Sequence, residues 1–229
     1  MTNPIVTCRG VSKTFGQGEL AVHALRAVDL DIQSGDFATL AGPSGSGKTT
    51  LLNMIGALDR PTTGKVTIDG VDLGSLSKGD LSDLRLKKVG FVFQAFNLIP
   101  VLSARENIEF VLQLQACPAA ERERRALDVL AEVGLKGMEH RRPSAMSGGQ
   151  QQRVAVARAL VSRPSIVLAD EPTANLDSKT TAELVSLMYR LNQEGGTTFL
   201  IGTHDPRVMD RSKRHIELLD GKISSDTRK

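Results

Sequence analysis

One stretch of the chain decides how the rest is interpreted: Gly42-Pro43-Ser44-Gly45-Ser46-Gly47-Lys48-Thr49. It fits the pattern G-x-x-x-x-G-K-[ST] at every fixed position. The run Asp36–Ala41 before it predicts a buried strand, and Lys48–Leu58 after it predicts a helix. Glycines in such a turn let successive N–H groups point into one concavity, and the helix N-terminus adds partial positive charge. The stretch therefore predicts a phosphate-binding loop between a strand and a helix of an α/β sheet.

Two side chains at the end of this loop have defined chemistry. Lys48 supplies a full positive charge for the β- and γ-phosphates of a nucleotide, and the hydroxyl of Thr49 is a hard oxygen ligand suited to Mg²⁺. A flexible glycine turn that contains Lys and Thr by chance is the alternative. The strand and the helix predicted on either side argue against it.

An Asp-Glu pair follows a second apolar strand, within Ile166-Val167-Leu168-Ala169-Asp170-Glu171. Asp170 is expected at the carboxyl end of a central strand, where open α/β sheets bind their ligands and where an acid can hold Mg²⁺ through its water shell. Glu171 is predicted to face the γ-phosphate as general base or as the residue that orients the attacking water. Such a pair alone can be a solvated loop, but beside a phosphate loop it predicts ATP hydrolysis.

Short apolar runs alternate with amphipathic ones along the chain, which predicts an α/β fold. Ser103 to about His140 has helical spacing and is expected to be an insertion between two halves of the α/β core. We expect one domain over residues 5–223, with the core at about 5–93 and 163–223, a helical subdomain at about 94–162, and a short tail at 224–229. The other expected elements are strands at Lys65–Ile68, Val89–Phe93, Ser165–Ala169, Thr197–Gly202 and His215–Leu219, and helices opening at Ser147–Gly149 and at Ser178.

Composition excludes several classes of protein. The 229 residues carry a net charge of +3, which does not demand a nucleic-acid partner, and with one Tyr and no Trp an aromatic stacking platform for single strands is not expected. No apolar run reaches the roughly 18 to 20 residues that span a bilayer, and the N-terminus does not resemble a secretory signal. Cys8 and Cys117 lack metal-type spacing and are expected to be free thiols in a reducing cytoplasm.

A third motif indicates the family. Ser147-Gly148-Gly149-Gln150, followed by Gln151-Gln152-Arg153, lies shortly before the Asp-Glu strand. It resembles the signature Leu-Ser-Gly-Gly-Gln of the ATP-binding-cassette (ABC) ATPases, with Met146 in place of Leu, a volume-conserving change. The resemblance covers about residues 5–223. It implies a P-loop cassette with a mixed sheet core, an inserted helical subdomain, and ATP and Mg²⁺ as its cofactors.

The resemblance also implies roles for residues elsewhere in the chain. Gln94 follows a strand like the family's Q-loop glutamine, His204 resembles the switch histidine at the γ-phosphate, and Asn175-Leu176-Asp177 resembles the D-loop of the dimer interface. Phe15 stands where the family places an aromatic ring against adenine. The implied catalytic residues are Glu171, His204 and Lys48, and the implied magnesium ligands are Thr49, Gln94 and Asp170. The implied nucleotide contacts are Phe15, Gly42, Pro43, Ser44, Gly45, Ser46, Gly47, Lys48, Thr49, Thr50, Ser147, Gly148, Gly149 and Gln150.

In this family two cassettes pair head to tail, so that each ATP lies between the phosphate loop of one copy and the signature of the other. The resemblance therefore implies a homodimer that drives an integral membrane permease, a separate chain, from the cytoplasmic face of the membrane. The sequences of Phe15–Leu25 and Phe91–Pro100 are similar to those of the lipoprotein-release and macrolide-export branch, the LolD- and MacB-like ATPases. That branch implies a lipoprotein, lipid, peptide, macrolide or haem-like cargo.

Two other functions share these motifs. A mechanical regulator of the cell-division type moves a membrane partner and transports nothing, and its motifs are the same. Soluble cassette ATPases of translation or DNA repair usually have tandem cassettes or long coiled-coil insertions, neither of which this sequence contains. The identity of the membrane partner separates the first alternative from a transporter.

Overall fold

The computed structural model describes residues 4–229, with the side chain of Glu19 excepted. The strands are β1 (Val6–Phe15), β2 (Val22–Ile32), β3 (Phe37–Ala41), β4 (Thr63–Ile68), β5 (Val71–Asp72), β6 (Val89–Phe93), β7 (Ile166–Asp170), β8 (Phe199–Gly202), β9 (Arg214–Leu219) and β10 (Lys222–Arg228). The helices are α1 (Lys48–Ile55), α2 (Lys78–Lys88), α3 (Ala104–Leu114), α4 (Ala119–Glu132), α5 (Gly148–Leu160), α6 (Ser178–Gly195) and α7 (Pro206–Arg211).

The larger sheet has the strand order β10-β9-β3-β8-β7-β6. Its five strands from β9 to β6 are parallel, and only β10 runs antiparallel, at the edge. β3 and β8 are buried at every position, as expected for parallel strands covered on both faces. This continuous burial is the reason that the sequence shows them as short apolar runs.

A smaller antiparallel sheet, in the order β2-β1-β4-β5, lies beside the larger one. Only β4 is among the predicted strands. β1 alternates buried and partly exposed residues, with Val6 and Cys8 fully buried and Val6 opposite Ile32 of β2. A strand with one solvated face and several register shifts has a weaker hydrophobic pattern than a central strand, so β1 was not predicted from the sequence.

Helix α1 connects the two sheets. It contacts strands of both, and its buried side chains Leu51, Leu52, Met54 and Ile55 belong to the same apolar cluster as the inner faces of β1, β2 and β3. The phosphate loop that precedes α1 is thereby held at the carboxyl end of β3. The helix ends at Ile55, three residues earlier than predicted, because Gly56 caps it and Ala57 takes a positive φ of 55°.

The predicted helical insertion is confirmed as two helices, α3 and α4, which pack on α5. The first begins with a capping box, in which the Ser103 and Glu106 side chains each bond the other's backbone N–H. The α5 helix starts at Gly148 as predicted and contacts both β6 and the inserted helices. The insertion therefore shares one apolar core with β6, β7 and β8.

The end of the chain is not the tail that we expected at 224–229. Lys222–Arg228 forms β10, which pairs with β9, and Arg214 donates to both carboxylate oxygens of Asp226 at 2.9 and 2.7 Å. The same guanidinium donates to Asp36 at 2.8 Å and is almost fully buried. An edge strand with a polar outer face has the composition of a tail, and only the buried arginine distinguishes it. The rest of the domain division stays a prediction.

Two expectations about the chain can be compared directly with the structure. No helix within residues 4–229 is long and apolar enough to cross a membrane. Cys8 and Cys117 are both free thiols, as predicted. Burial raises the pKa of the Cys8 thiol to about 12, so this group stays protonated at neutral pH.

Candidate functional site

The glycine loop follows β3 and closes against two other strands. Gly42 has a φ of 150°, and a Cβ atom there would lie 2.1 Å from the backbone oxygen of Leu218 on β9. Gly47 has a φ of 106°, and a Cβ atom there would lie 2.5 Å from the backbone oxygen of Ala24 on β2. Both positions therefore need glycine for their backbone angle and for the close approach of a neighbouring strand.

Lys48 lies across this loop. Its Nζ donates to the backbone oxygens of Gly42 at 2.7 Å and Pro43 at 3.1 Å, and the residue is 8% exposed. Ser46 is also buried, and its hydroxyl has no hydrogen-bond partner between residues 4 and 229. The ammonium and the hydroxyl are thus held inside the loop, where phosphate oxygens are stronger acceptors than carbonyls.

The remaining predicted members of the loop differ in their exposure. The three rim residues, Pro43, Ser44 and Gly45, are exposed, whereas Thr50 is partly buried in the first turn of α1. The loop therefore presents an open face at its tip and a buried floor at Ser46 and Lys48. This is the geometry of an anion cradle with one accessible side.

Thr49 and Asp170 meet although 121 positions separate them in the sequence. The Thr49 hydroxyl donates to Oδ2 of Asp170 at 2.8 Å, while Oδ1 is buried without a partner among residues 4–229. Burial and the neighbouring Glu171 carboxylate raise the pKa of Asp170, and the hydrogen bond from Thr49 offsets part of that rise. A buried carboxylate oxygen with no donor, next to a hydroxyl, fits the hard oxygen ligands that Mg²⁺ prefers.

Gln94 lies one residue beyond the register pair of Phe93 with Asp170, so β6 places it beside the Asp-Glu pair. Its backbone oxygen accepts a hydrogen bond from Nδ2 of Asn175 at 3.0 Å. The side chain of Gln94 is exposed. Two motifs predicted separately, the glutamine after β6 and the Asn-Leu-Asp turn, are therefore in contact.

Glu171 and His204 also come together, at the ends of the neighbouring strands β7 and β8. Oε1 of Glu171 lies 2.9 Å from Nδ1 of His204, and the two side chains are 18% and 73% exposed. The backbone of Glu171 takes a positive φ of 46°, which is unusual for a non-glycine residue, while its N–H donates to Gly202 at 2.8 Å. Such a conformation is maintained only where the surroundings enforce it, and it is frequent at functional sites.

The Ser-Gly-Gly turn caps α5. Ser147 accepts a hydrogen bond from the Gln150 N–H at 3.3 Å, and the Gln150 side chain accepts one from the Ser147 N–H at 3.0 Å. The Gln150 side chain is therefore occupied in shaping the turn. Atoms of Phe96, Leu176 and Thr180 are the neighbours of Gly148 and Gly149, and none of these residues belongs to the phosphate loop.

Phe15 ends β1 and is 45% exposed, as an aromatic ring that stacks on a base must be. Nζ of Lys13 lies 5.0 Å from the centroid of this ring. Asp59 holds that ammonium at 2.6 Å, and the backbone oxygen of Arg60 accepts from it at 2.8 Å. Lys13 was not predicted from the sequence, and the spacing of two residues between Lys13 and Phe15 on one strand is the signal that could have revealed it.

Asp205 is a second site residue that was not predicted from the sequence. It caps α7 and accepts a hydrogen bond from the Thr173 hydroxyl at 3.2 Å, which joins the turn after His204 to the turn after Glu171. Hydrogen bonds from Arg207 hold the pKa of Asp205 below its ordinary value. The Asp-Pro pair at 205–206 is a helix-start signal, but no sequence pattern indicates its contact with Thr173.

Comparisons with known proteins agree with this geometry. The ABC transporter family model matches residues 25–174. The lipoprotein-releasing system ATP-binding protein LolD of Anaeromyxobacter dehalogenans is 45% identical over 233 aligned residues, which cover 99% of this chain and 95% of that protein. The macrolide export ATP-binding/permease protein MacB of Brucella melitensis is 45% identical over 226 residues, but this chain spans only 35% of its length.

A solved structure shows the same fold. It is the dimeric post-hydrolysis state of the ATP-binding cassette MJ0796 bound to ADP and Pi, with a TM-score of 0.89 and 45% identity over 97% of this chain and 98% of that chain. MJ0796 is a protein of Methanocaldococcus jannaschii. Because these similarities extend along nearly the whole sequence, the chain belongs to the ABC transporter family and is an ATP-hydrolysing cassette of the LolD- and MacB-like branch.

Proposed function

We propose that two copies of this chain close around two ATP molecules and that hydrolysis reopens the pair to drive a membrane permease. The observation that carries this proposal is the meeting of Thr49 with Asp170, and of Glu171 with His204, at neighbouring strand ends beside the glycine loop. One pair offers oxygen ligands, and the other offers a carboxylate in contact with an imidazole.

In this proposal each group has one task in hydrolysis. Lys48 exchanges its two carbonyl partners for phosphate oxygens, and Thr49, Asp170 and Gln94 hold Mg²⁺, which supplies charge neutralisation at the phosphates when bound. Glu171 orients a water and accepts its proton, and His204 contacts the γ-phosphate. Phe15 stacks on the adenine ring.

The Ser147–Gly149 turn is proposed to face the ATP held by the second copy. Three features support this role: the position of the turn at the N-terminus of the 13-residue helix α5, the exposure of Ser147, and the dimeric state of the related cassette. Removal of the γ-phosphate by hydrolysis deletes the charge-assisted contacts across the interface, so the pair separates.

An apolar groove beside Gln94 is proposed as the docking site of a permease helix. The groove lies between α2, β6, α3 and α5, has a volume of about 580 Å³, and includes Leu86, Phe91, Phe93 and Leu114 in its lining. An exposed apolar groove next to the catalytic strand ends suits an amphipathic helix of a partner. The chain is then a peripheral subunit on the cytoplasmic face of the membrane, and the branch implies export or extraction of a lipoprotein, lipid, peptide, macrolide or haem-like compound.

The hydrolysis part is tested with Glu171→Gln, which keeps the shape of the side chain and removes its basicity. We expect turnover to fall by about 10²- to 10⁴-fold and a dimer to accumulate with Mg-ATP in size-exclusion chromatography. Glu194→Gln, at a carboxylate that is 71% exposed, is the matched control and should behave as the unmodified protein. Near-normal turnover of Glu171→Gln removes Glu171 from this role.

The partner is tested by purification from membranes under native conditions, followed by mass spectrometry. We expect an integral membrane protein to copurify with the unmodified chain and with Leu127→Glu, whose apolar side chain on α4 is exposed outside the groove. Leu114→Glu, in the groove, is expected to lose that protein and to keep ATPase activity. Recovery of no membrane protein refutes the permease proposal, and cell-shape defects on depletion favour the mechanical regulator.

A further inference from the structure

Gln152 lies in the second turn of α5 and is completely buried. Its Nε2 donates two hydrogen bonds, to the backbone oxygen of Pro172 at 2.8 Å and to that of Phe93 at 3.3 Å. Pro172 directly follows Glu171, and Phe93 directly precedes Gln94. Gln152 on α5 therefore hydrogen-bonds to the backbone at the ends of both β6 and β7, next to Gln94 and Glu171.

The orientation of this amide follows from its partners. Both acceptors are carbonyl oxygens, so only the NH₂ group of Gln152 can face them. The Oε1 atom is buried and has no hydrogen-bond partner between residues 4 and 229. A half-satisfied buried amide is unfavourable, and a methionine of similar volume would avoid the unpaired oxygen. Core stability alone does not account for a glutamine at this position. Its hydrogen bonds to the backbone of Phe93 and Pro172 do account for it.

Neighbouring contacts either link α5 to one of the two segments or link the segments to each other. Arg158, two turns further along α5, donates to the backbone oxygens of Asn97 at 2.5 Å and Phe96 at 3.0 Å. These two residues have positive φ values of 51° and 57°, so the turn after Gln94 is a constrained one. Asn175, in the turn after β7, donates to the Gln94 oxygen and so joins the two segments directly. Among these contacts, only Gln152 links α5 to both the turn after β6 and the turn after β7.

We propose that Gln152 is a positioning residue that couples the Ser147–Gly149 turn to Gln94 and Glu171 of the same chain. Its two hydrogen bonds fix the ends of β6 and β7 relative to α5. A nucleotide that binds the Ser147–Gly149 turn at the start of α5 therefore also fixes the position of the Glu171 carboxylate. This inference rests on the roles proposed above for Glu171 and for the signature turn.

The test compares Gln152→Met with Gln115→Met. Gln115 is a suitable control because its Nε2 also donates to a backbone oxygen of another element, Leu86 at 2.8 Å, but away from the catalytic strand ends. Amide hydrogen exchange of the nucleotide-free protein is followed by mass spectrometry, and kcat and KM for ATP are measured in parallel. A decrease in melting temperature that both variants share measures the structural cost of losing a glutamine side chain that bonds to the backbone.

We expect Gln152→Met to accelerate exchange in residues 93–97 and in residues 171–174 together, because both lose the same donor. We expect kcat to fall by about 10- to 100-fold, since a small displacement of the reacting groups has that effect. KM should stay within about twofold, because the phosphate loop and Phe15 are untouched. Gln115→Met should change neither the exchange of these segments nor kcat.

Exchange that stays unchanged, or that rises in only one segment, overturns the proposal, and so does a normal kcat. If Gln152→Met does not fold, Gln152→Ala, which leaves room for water, is measured in the same way. The exchange experiment contains no ATP, so it is independent of the proposed catalytic roles. Absence of ATP turnover in the unmodified protein counts against those roles, whereas a loss confined to the Gln152 variants supports the coupling.

Discussion

Replacement of Gly149 by alanine tests the packing of the signature turn. A Cβ atom at Gly149 would lie 2.2 Å from Cγ2 of Thr180, at the start of α6. The threonine cannot easily retreat, because its hydroxyl donates to Asp177 at 2.7 Å and its N–H donates to the same carboxylate at 2.9 Å. At Gly148, a Cβ atom would instead make ordinary contacts, 3.6 Å from Phe96. Two adjacent glycines therefore serve as test and control.

The size of the effect follows from two opposing contributions. Forcing an extra methyl into a filled space destabilises a protein by about 1–3 kcal/mol. Alanine regains up to about 1 kcal/mol relative to glycine in a helix. The net loss for Gly149→Ala is therefore up to about 2 kcal/mol, which for a chain of this length lowers Tm by up to roughly 8 °C. Gly148→Ala should be neutral or stabilising by up to about 1 kcal/mol.

The assay is thermal and urea denaturation of both variants, each repeated in a Thr180→Ser background. Serine removes Cγ2 and keeps the hydroxyl that bonds Asp177, so Gly149→Ala should recover most of its loss there. A coupling energy of about 0.5–3 kcal/mol between positions 149 and 180 is expected. Equal melting temperatures for the two alanine variants, or a loss that Thr180→Ser leaves unchanged, would refute this explanation of the second glycine.

Four further predictions concern other parts of the molecule. Lys48→Ala should weaken ATP binding by roughly 10- to 150-fold in a titration with a fluorescent nucleotide, because the variant lacks the buried ammonium that can exchange its carbonyl partners for phosphate. Phe15→Ala should raise the Kd for ATP by about tenfold while Phe15→Tyr leaves it unchanged, since tyrosine keeps the stacking face. Arg214→Met should lower the free energy of unfolding by about 1–3 kcal/mol, because the largely buried Asp36 and the partly exposed Asp226 lose a buried guanidinium partner, whereas Arg124→Met at an exposed site should have no measurable effect. Arg214 also holds the pKa of Asp226 below its ordinary value. The stabilisation from this ion pair is therefore present at neutral pH and is lost as the pH falls below about 4, through the lowered pKa. Asp226→Asn should remove that part of the acid transition.

The sequence by itself was sufficient where local pattern and chemistry coincide. The central strands are apolar at nearly every position because both faces are covered, so Ile166–Asp170 and Phe199–Gly202 were predictable as runs. β1 and β2 have one partly exposed face, α2 has only Leu81 buried, and β10 has no buried residue. Their side chains alternate or are mostly polar, which is also the composition of loops and tails, and the prediction omitted them for that reason.

Residue types and local backbone angles are encoded along the chain, so the sequence alone determined the glycine loop, the Asp-Glu pair and the turn that begins α5. Only the tertiary structure decided which of these groups touch: Thr49 with Asp170, Glu171 with His204, Gly149 with Thr180, and Gln152 with the backbone of two loops. The physical reason is that strand order and register bring the carboxyl ends of parallel strands to one edge. Contacts between residues 20 to 121 positions apart therefore depend on the packing of the whole sheet.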